Sequence, residues 1–309
     1  MSRNKTILQL SATNDWKQKK IELSEPVKLF YSAWSNIAKD MGVELVRSSV
    51  YYFRKGTFTQ HWKIENGEWV KVAKPVTPTV IFDRSWLYED TTALEIDGIY
   101  KRKLEIARSF PMVNEPEFVR LLNSKLNQAV LFRKYMPRTE FVAPGDILVS
   151  DKDPIVVKSF HGYGGYGVKI VSGKKYIVEN RGITQEFVKA SKNGNVYDYR
   201  IVFLGQKPAY IFTRTGRKDS FFTNFHQGGR VTFLNLKEMK WLVDYAKQIA
   251  EPLRIFRKAI FSLDFMVDSR NKKPYLIELN ESPGNDVFTE ESRKPMEKYI
   301  ADLTKYILS

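Results

Sequence analysis

Three oxygen-bearing side chains stand out near the end of the sequence, where a polar turn joins two apolar segments. The first segment carries Asp264, and the second carries Glu278 and Asn280. Residues two apart in a strand point to the same face, so Asp264 can join the other two across a hairpin. Carboxylate and amide oxygens suit a hard cation such as Mg²⁺, and substrate phosphates can complete its shell. The pattern predicts a magnesium site, because the neighbours are too apolar for a hairpin of solvated acids.

A glycine-rich segment that starts at Gly162 follows a short apolar strand ending in Lys158. It holds four glycines in six positions, with Gly164, Gly165 and Gly167 after the first. Without Cβ atoms, its backbone N–H groups can approach an anion closely. The pattern matches neither a Walker loop nor a dinucleotide-binding fingerprint. Beside a lysine it favours nucleotide phosphates, and the alternative is a plain β-turn next to a lysine at a strand end.

Residues 185–188 read as a strand and as a hinge between two folding units. The segment contains Gln185, Glu186 and Val188. The glutamate and the backbone groups beside it could receive the edge of an adenine ring. An ordinary surface strand has the same composition, so this segment alone decides nothing.

Two arginines, Arg200 and Arg214, lie on strand-like segments upstream of the acidic hairpin. Either could neutralise a phosphoryl group during its transfer, and either could instead form a structural ion pair. A polar turn that ends in two glycines follows them and contains Asn224 and His226. We expect the histidine to be structural, since no serine or cysteine nucleophile motif accompanies it.

The composition restricts the class of protein. The chain has 309 residues, 43% of them hydrophobic, a formal net charge of +15 and no cysteine. Such a length suffices for two or three domains with their own cores. The lack of cysteine excludes disulfides and cysteine nucleophiles. No apolar run suits a membrane helix or a secretory signal, so we expect a cytoplasmic protein with no membrane partner.

The basic charge is spread along the chain rather than gathered in one tract. An acidic partner such as a nucleotide or an acidic peptide fits this charge, and so does a plain solvated surface. No nucleic-acid-binding motif accompanies the charge, so we do not expect a nucleic-acid partner. A homodimer is compatible with the sequence.

The pattern of apolar residues divides the chain into one unit at 1–112 and a second at 113–309. Largely antiparallel sheets with attached helices predict an α+β or α/β class. The Asn66-Gly67 pair between two alternating segments predicts a hairpin with a type I′ turn. The other predicted strands are 43–46, 51–53, 79–82, 155–158, 168–171, 198–204 and 208–212. The predicted helices are 27–41, one through 121–122, 125–135, 236–250 and 294–307.

The order of these features resembles the ATP-grasp superfamily, within it the peptide and amino-acid ligases that include RimK-type glutamate ligases, glutathione synthetase and D-alanine–D-alanine ligase. The resemblance covers roughly residues 113–290. Its most specific pieces are Gln185-Glu186-Phe187-Val188, Asn224-x-x-x-Gly228-Gly229 and Leu276-Ile-Glu278-Leu-Asn280-x-Ser282-Pro-Gly284. The N-terminal part is similar to that of YheC/YheD-like proteins of spore formers. The resemblance implies an α+β ATP-grasp fold, with a lid at about 150–188, a C-terminal subdomain at 189–309 and an N-terminal α/β pre-ATP-grasp domain.

The resemblance also implies a role for each site residue. The residues implied to hold ATP are Lys125 and Lys158 at the phosphates, Gly164, Gly165 and Gly167 in the loop over them, and Gln185, Glu186 and Val188 at the adenine hinge. The residues implied to ligate Mg²⁺, as two ions with Mn²⁺ as an alternative, are Asp264, Glu278 and Asn280. The implied catalytic residues are Arg214 or Arg200 for the acyl-phosphate step, with Arg214 the stronger match, and Asn224 for positioning.

The implied reaction is ATP-dependent ligation of a carboxylate to an amine, on an amino acid, a peptide or a precursor peptide. The alternative is an ATP-binding structural or regulatory protein without turnover, which has no need of a full metal set. Two positions depart from the RimK pattern. Residues 189–192 lack the acidic residue expected to bind ribose, and Phe222 stands where many members have a basic residue. The substrate side therefore reads as more apolar than an acidic amino-acid site, and the substrate pair stays open.

Overall fold

The computed structural model describes residues 5–13, 19–85, 92–150, 153–162, 167–173, 175–192, 194–217, 223 and 229–309, without the side chains of residues 93 and 192. Three larger sheets organise these ranges, and each carries one part of the chain in sequence order. None of the helices in these ranges has both the length and the apolar character needed to cross a membrane.

The first sheet is mixed and belongs to the N-terminal part. The strands of this part are β1 (Lys5–Ser11), β2 (Lys20–Ile21), β3 (Val43–Ser49), β4 (Phe53–Arg54), β5 (Thr57–Phe58), β6 (His61–Glu65), β7 (Glu68–Val72), β8 (Val80–Asp83) and β9 (Met112–Val113). The sheet order is β2-β7-β6-β3-β1-β8-β9, and β4 and β5 form a separate pair. Within this order, the strands β3, β1, β8 and β9 are parallel to one another. This arrangement gives the N-terminal part its α/β character.

Side chains alternate between the two faces of this sheet and bury both. Ile7 packs into the core formed with helix α1 (Glu25–Asp40), whereas the adjacent Leu8 packs on the opposite side with Ile106 of helix α2 (Ala93–Ser109). A capping box in which Thr92 and Glu95 bond each other's backbone N–H begins α2. The apolar pattern of these residues had predicted no helix there.

Two local predictions in this part had different outcomes. The hairpin at Asn66-Gly67 is confirmed, because both residues have positive φ angles, 52° and 77°, between the paired strands β6 and β7. The predicted strand at residues 51–53 is wrong for its first two residues, which belong to a 3-10 helix, Val50–Tyr52. The Ser49 hydroxyl accepts a hydrogen bond from the Tyr51 N–H and so caps this turn.

Two short helices, α3 (Pro116–Leu122) and α4 (Lys125–Leu131), lead into the second sheet. The predicted helix 125–135 ends four residues early, where Phe132 leaves helical geometry and the Tyr135 N–H bonds the Phe132 carbonyl in a turn. The strands that follow are β10 (Thr139–Val142), β11 (Ile147–Val149), β12 (Ile155–Ser159), β13 (Val168–Val171), β14 (Lys175–Ile177) and β15 (Gly182–Glu186). The sheet order is β10-β15-β12-β13, all antiparallel, with β11 and β14 as a separate pair.

Strand β15 lies between two partners and approaches β12 closely. A Cβ atom at Gly182 would lie 2.4 Å from the Lys158 carbonyl oxygen, so only glycine permits this approach. The predicted strand 185–188 begins earlier and ends earlier than expected. It spans Gly182–Glu186, and residues 187 and 188 lie outside it.

The third sheet is antiparallel and carries the C-terminal part. Its strands are β16 (Ser191–Lys192), β17 (Asn195–Leu204), β18 (Lys207–Thr215), β19 (Arg230–Leu234), β20 (Ile260–Val267) and β21 (Pro274–Asn280). The order is β19-β18-β17-β20-β21, with β16 paired to β17. Helix α5 (Lys240–Ala250) starts later than predicted, since Asn235 caps a turn by accepting from the Lys237 N–H. The C-terminal helix α6 (Arg293–Leu308) matches its prediction to within a residue at each end.

This sheet also buries two faces. Ile201 and Phe203 pack towards α5 and α3, whereas Val202 and Leu204 share the core of α1 and α6. The N-terminal sheet is joined to this core by Asn114, whose side-chain amide donates to the carbonyls of Ile260 and Glu281 and accepts from the Ile260 N–H. The observed class is α+β, as predicted.

Candidate active site

The acidic hairpin brings its three predicted ligands together. Asp264 on β20 lies directly opposite Glu278 on β21, and Ser262 lies opposite Asn280. A register shift follows Asp264, which is the signature of a β-bulge. The Asn280 side-chain nitrogen lies 3.5 Å from Asp264 Oδ2, so the amide oxygen is left for another partner. All three side chains lie on the same face of the sheet as Val202, which packs in the core with α1 and α6.

Two arginines neutralise Asp264 before any ligand is present. Arg200 lies directly across from it and donates two hydrogen bonds, at 2.7 and 2.6 Å, and Arg214 Nη2 donates a third at 2.7 Å. Burial alone would raise the pKa of Asp264, but the two guanidinium groups outweigh it and hold the pKa below its usual range. Both arginines thus form the ion pairs that were the structural alternative at these positions, and they do so beside the predicted metal ligands.

Arg214 is itself held by a second carboxylate. It lies opposite Asp198 in the register of β17 and β18 and donates two hydrogen bonds to it, at 2.8 and 2.7 Å. Burial opposes the charge of Arg214, yet Asp198 and Asp264 raise its pKa above the usual value. The Thr223 hydroxyl donates to Asp198 Oδ2 at 2.5 Å, the same oxygen that accepts from Arg214 Nη2.

Two lysines approach the hairpin from the second sheet and from α4. Lys125 Nζ lies 3.2 Å from Glu278 Oε1 and donates to the Gly162 carbonyl at 2.7 Å. Lys158 Nζ donates to the Ile277 carbonyl at 3.3 Å. Burial lowers the pKa of Lys158 to about 8, with Glu278 opposing this shift and Lys125 adding to it. The structure therefore concentrates cationic groups where the carboxylates converge.

The hinge residues line the other end of the same cleft. The Gln185 amide donates to the Thr139 hydroxyl at 3.1 Å, Glu186 turns its side chain to solvent, and Val188 is buried. Most other residues that line the cleft are apolar: Pro137, Val156, Val168, Ile170, Phe187, Met266 and Ile277. The cleft contains about 880 Å³ of empty space, part of which is open to solvent. A flat aromatic group fits the apolar end, and an anion fits the end with the lysines and arginines.

The glycine loop is described only at its two ends. Gly162 lines the cleft with a φ angle of 125°, and the Gly167 carbonyl accepts from the Ser159 N–H at 2.9 Å. The predicted loop residues Gly164 and Gly165 and the predicted catalytic Asn224 lie outside the described residues.

Sequence reasoning gave no role to Asp198, Thr223 or Met266, all of which line the cleft. For Asp198 a signal was present. Asp198 lies two residues before Arg200, so both side chains point to the same face of the strand. An arginine that acts beside the acidic hairpin must lie on that face, and Asp198 then lies there too.

The fold and the cleft together define a protein of the ATP-grasp class. A model of the RimK-like ATP-grasp domain matches residues 122–303, more than half of the chain. The chain therefore belongs to the RimK-like ATP-grasp family and with it to the ATP-grasp ligases, enzymes that form carbon–nitrogen bonds and release ADP. The predicted superfamily is confirmed.

Named relatives agree with this assignment. The chain is 25% identical over 218 residues to a probable alpha-L-glutamate ligase of Aliivibrio salmonicida, covering 65% of this chain and 69% of the relative. It is also 25% identical over 163 residues to a protein of the same name from Histophilus somni, where the match spans half of each chain.

Solved structures share the fold at low sequence identity. D-cycloserine synthetase DcsG matches with a TM-score of 0.60 at 12% identity, over 96% of this chain and 99% of that one. The D-alanine–D-alanine ligase of Bacillus anthracis, solved with ATP, matches with a TM-score of 0.59 at 13% identity, over 98% of this chain and 96% of that one. The ligase PsnB, solved with a variant of its minimal precursor, Mg and ADP, matches with a TM-score of 0.56 at 12% identity, over 99% of this chain and 98% of that one.

Proposed function

We propose that the protein uses ATP to join a carboxylate to an amine through an acyl phosphate, and that the described cleft is its active site. The observation that carries this proposal is the convergence of Lys125, Lys158 and Arg214 on the carboxylates of Asp264 and Glu278 at one end of a cleft whose other end is apolar. The two ends match the two parts of a nucleotide.

In this proposal the adenine ring lies against the apolar walls at residues 185–188, near Met266. The phosphates then extend towards Lys125 and Lys158, whose ammonium groups offset their charge. The role that we propose for the glycine loop, which begins at Gly162, is to keep water away from the reacting phosphoryl group.

The residues present fit Mg²⁺. Asp264, Glu278 and Asn280 are oxygen donors on adjacent strands, and the amide oxygen of Asn280 is free of the contact that its nitrogen makes with Asp264. Glu278 is partly exposed to the cleft, where a nucleotide phosphate could share a cation with it. Held by these residues, Mg²⁺ would supply positive charge that offsets the charge developing on the phosphates.

The proposed chemistry has two steps. A carboxylate oxygen of the substrate attacks the γ-phosphorus of ATP, and ADP leaves. The amine then attacks the acyl carbon, inorganic phosphate leaves, and an amide forms with loss of the amine proton. Arg214 and Arg200 lie where the negative charge of two anionic reactants accumulates, and their guanidinium groups offset that repulsion. The position of Asn224 in sequence suits contact with the phosphate or the substrate.

The substrates we propose are an amino acid, a peptide or a precursor peptide. The names of the glutamate ligase relatives and the precursor bound to PsnB support this set without selecting within it. We also propose that the chain divides into an N-terminal domain at 1–112 and an ATP-grasp domain at 113–309, because the mixed sheet ends at Val113 and the antiparallel sheets follow.

The first experiment is ADP formation by purified protein with Mg²⁺ and pooled amino acids and peptides, beside Glu278→Gln. Release by the wild type that depends on one pool and disappears in the variant is the expected result. Tight ATP binding with no release from any pool would instead favour a binding protein without turnover. The pools therefore include peptides with free C-terminal carboxylates and peptides with free amines, tested separately and together.

A further inference from the structure

Asp198 is a buried carboxylate beside the proposed metal ligands, and the chemistry above gives it no step. Asp198 is 4% exposed, and its side chain accepts hydrogen bonds from Arg214 and Thr223. Burying a second carboxylate so close to Asp264 is costly unless it is fully paired. Two hydrogen bonds from the Arg214 guanidinium and one from the Thr223 hydroxyl offset this cost.

Arg214 is shared between two carboxylates through a single nitrogen. Its Nη2 lies 2.7 Å from Asp198 Oδ2 and 2.7 Å from Asp264 Oδ2. The same oxygen of Asp264 also accepts from Arg200 at 2.6 Å. An oxygen that receives two guanidinium donors is a poor ligand for a cation, because the donors occupy its lone pairs and oppose a further positive charge.

We propose that Asp198 is a positioning residue that keeps Arg214 from being neutralised by Asp264 alone, and so leaves Asp264 available to Mg²⁺. Two of the three hydrogen bonds that Arg214 makes to these carboxylates go to Asp198, through both Nε and Nη2, and only one goes to Asp264. When a cation takes Asp264, Arg214 retains a full counter-charge at Asp198. Without Asp198, the cation must displace Arg214 from Asp264, the buried carboxylate that remains to it among the described residues. This inference depends on the proposed metal site.

The test is the Mg²⁺ concentration that gives half-maximal binding of ADP, measured by calorimetry on the full chain. Asp198→Asn keeps the size of the side chain and removes its charge. We expect the variant to need about tenfold more Mg²⁺ or higher, the usual effect of losing a partner of a metal ligand. At saturating Mg²⁺ its affinity for ADP should approach that of the wild type.

A matched control is Asp83→Asn. Asp83 is an equally buried carboxylate, 3% exposed, that pairs with Lys103 at 2.8 Å in the N-terminal sheet. This variant loses a buried ion pair without touching Arg214. It should lower the thermal stability and leave the Mg²⁺ requirement unchanged.

The double variant Asp198→Asn with Arg214→Met separates charge competition from simple damage. Removing both members of a buried pair leaves no uncompensated charge there, so this variant should fold even where the single one does not. We expect its Mg²⁺ requirement to be at or below that of the wild type, since the competing guanidinium is gone.

Three results would overturn the inference. They are a folded Asp198→Asn protein with the wild-type Mg²⁺ requirement, an equal increase in Asp83→Asn, and a double variant that needs more Mg²⁺ than the wild type. ADP binding by the wild type that is indifferent to Mg²⁺ would be a different failure, that of the proposed metal site itself.

Discussion

Arg200 on β17 lies directly across the sheet from Asp264 on β20 and donates two hydrogen bonds to its carboxylate. Direct cross-strand pairing sets this contact, so the backbone register and not a chance rotamer holds the ion pair. The carboxylate that we propose as a metal ligand is therefore ordered and neutralised in the free protein. Binding of a cation exchanges counter-charges at a prepared site, and no loop has to bring the ligand in.

Glu278→Gln should abolish ADP formation while leaving the fold intact. The amide removes the charge that we propose for cation binding, and it keeps the size and shape of the side chain opposite Asp264. Turnover and thermal unfolding, measured on the same preparation, check this. Glu290→Gln is the control, because Glu290 forms an exposed pair with Arg293. An active Glu278→Gln enzyme would contradict the metal role.

The affinity for ATP should fall as the pH rises through about 8. Burial lowers the pKa of Lys158 to about 8 in the free protein, so its ammonium group is charged below that pH and lost above it. Phosphates bind the charged form, so the affinity is highest on the acidic side. Binding measured from pH 7 to 9.5 checks this, and Lys158→Met should flatten the profile. Lys169→Met, at an exposed lysine, should keep the wild-type profile.

The same lowered pKa has an effect on stability of opposite sign. The unfolded chain holds the Lys158 proton up to its ordinary pKa of 10.5, whereas the folded chain loses it near 8. Between these values the unfolded state binds more protons, so this lysine contributes a free energy of unfolding that rises with pH. Denaturant unfolding of wild type and Lys158→Met at pH 7.5 and 10 isolates the effect. The free energy of unfolding of the wild type should rise relative to that of Lys158→Met at the higher pH. A difference that stays constant between the two pH values would contradict the prediction.

Arg214→Ala should destabilise the protein by about 3–5 kcal/mol, since it leaves Asp198 and Asp264 buried with less counter-charge. The free energy of unfolding from urea titration measures this. Arg254→Ala is the control, because Arg254 pairs with Glu251 on the surface and should change stability by less than about 1 kcal/mol. Equal losses in both variants would mean that the buried network adds no stability.

Gly182→Ala should weaken both the fold and nucleotide binding. Its methyl group would lie 2.4 Å from the Lys158 carbonyl, so β15 must move away from β12 at a cost of about 1–3 kcal/mol. That movement also displaces the hinge that follows β15. Gly98→Ala is the control in helix α2, where the added methyl group meets no atom within 4 Å and should stabilise the helix by about 0.5–1 kcal/mol. Thermal unfolding and ATP binding of both variants check the pair.

Local patterns predicted the elements that depend on neighbouring residues. The Asn66-Gly67 turn follows from the positive φ angles that both residues adopt, and the two strands of the acidic hairpin follow from two apolar runs joined by a polar turn. Helix α2 was missed because its charged and apolar residues give only a weak stripe. Its start depends on the capping box at Thr92, which is a contact of side chain with backbone rather than a periodicity.

By itself, the sequence determined which residue types occupy the strand faces of this protein, and hence that Glu278 and Asn280 face one way beside Asp264. The tertiary structure alone decided that Arg214 divides itself between Asp198 and Asp264, and that Lys125 reaches Glu278 from another part of the chain. Same-face alternation is a local property with a period of two residues, which any strand obeys. The register between strands and the docking of one sheet on another depend on packing across the whole core, and no spacing along the chain encodes them directly.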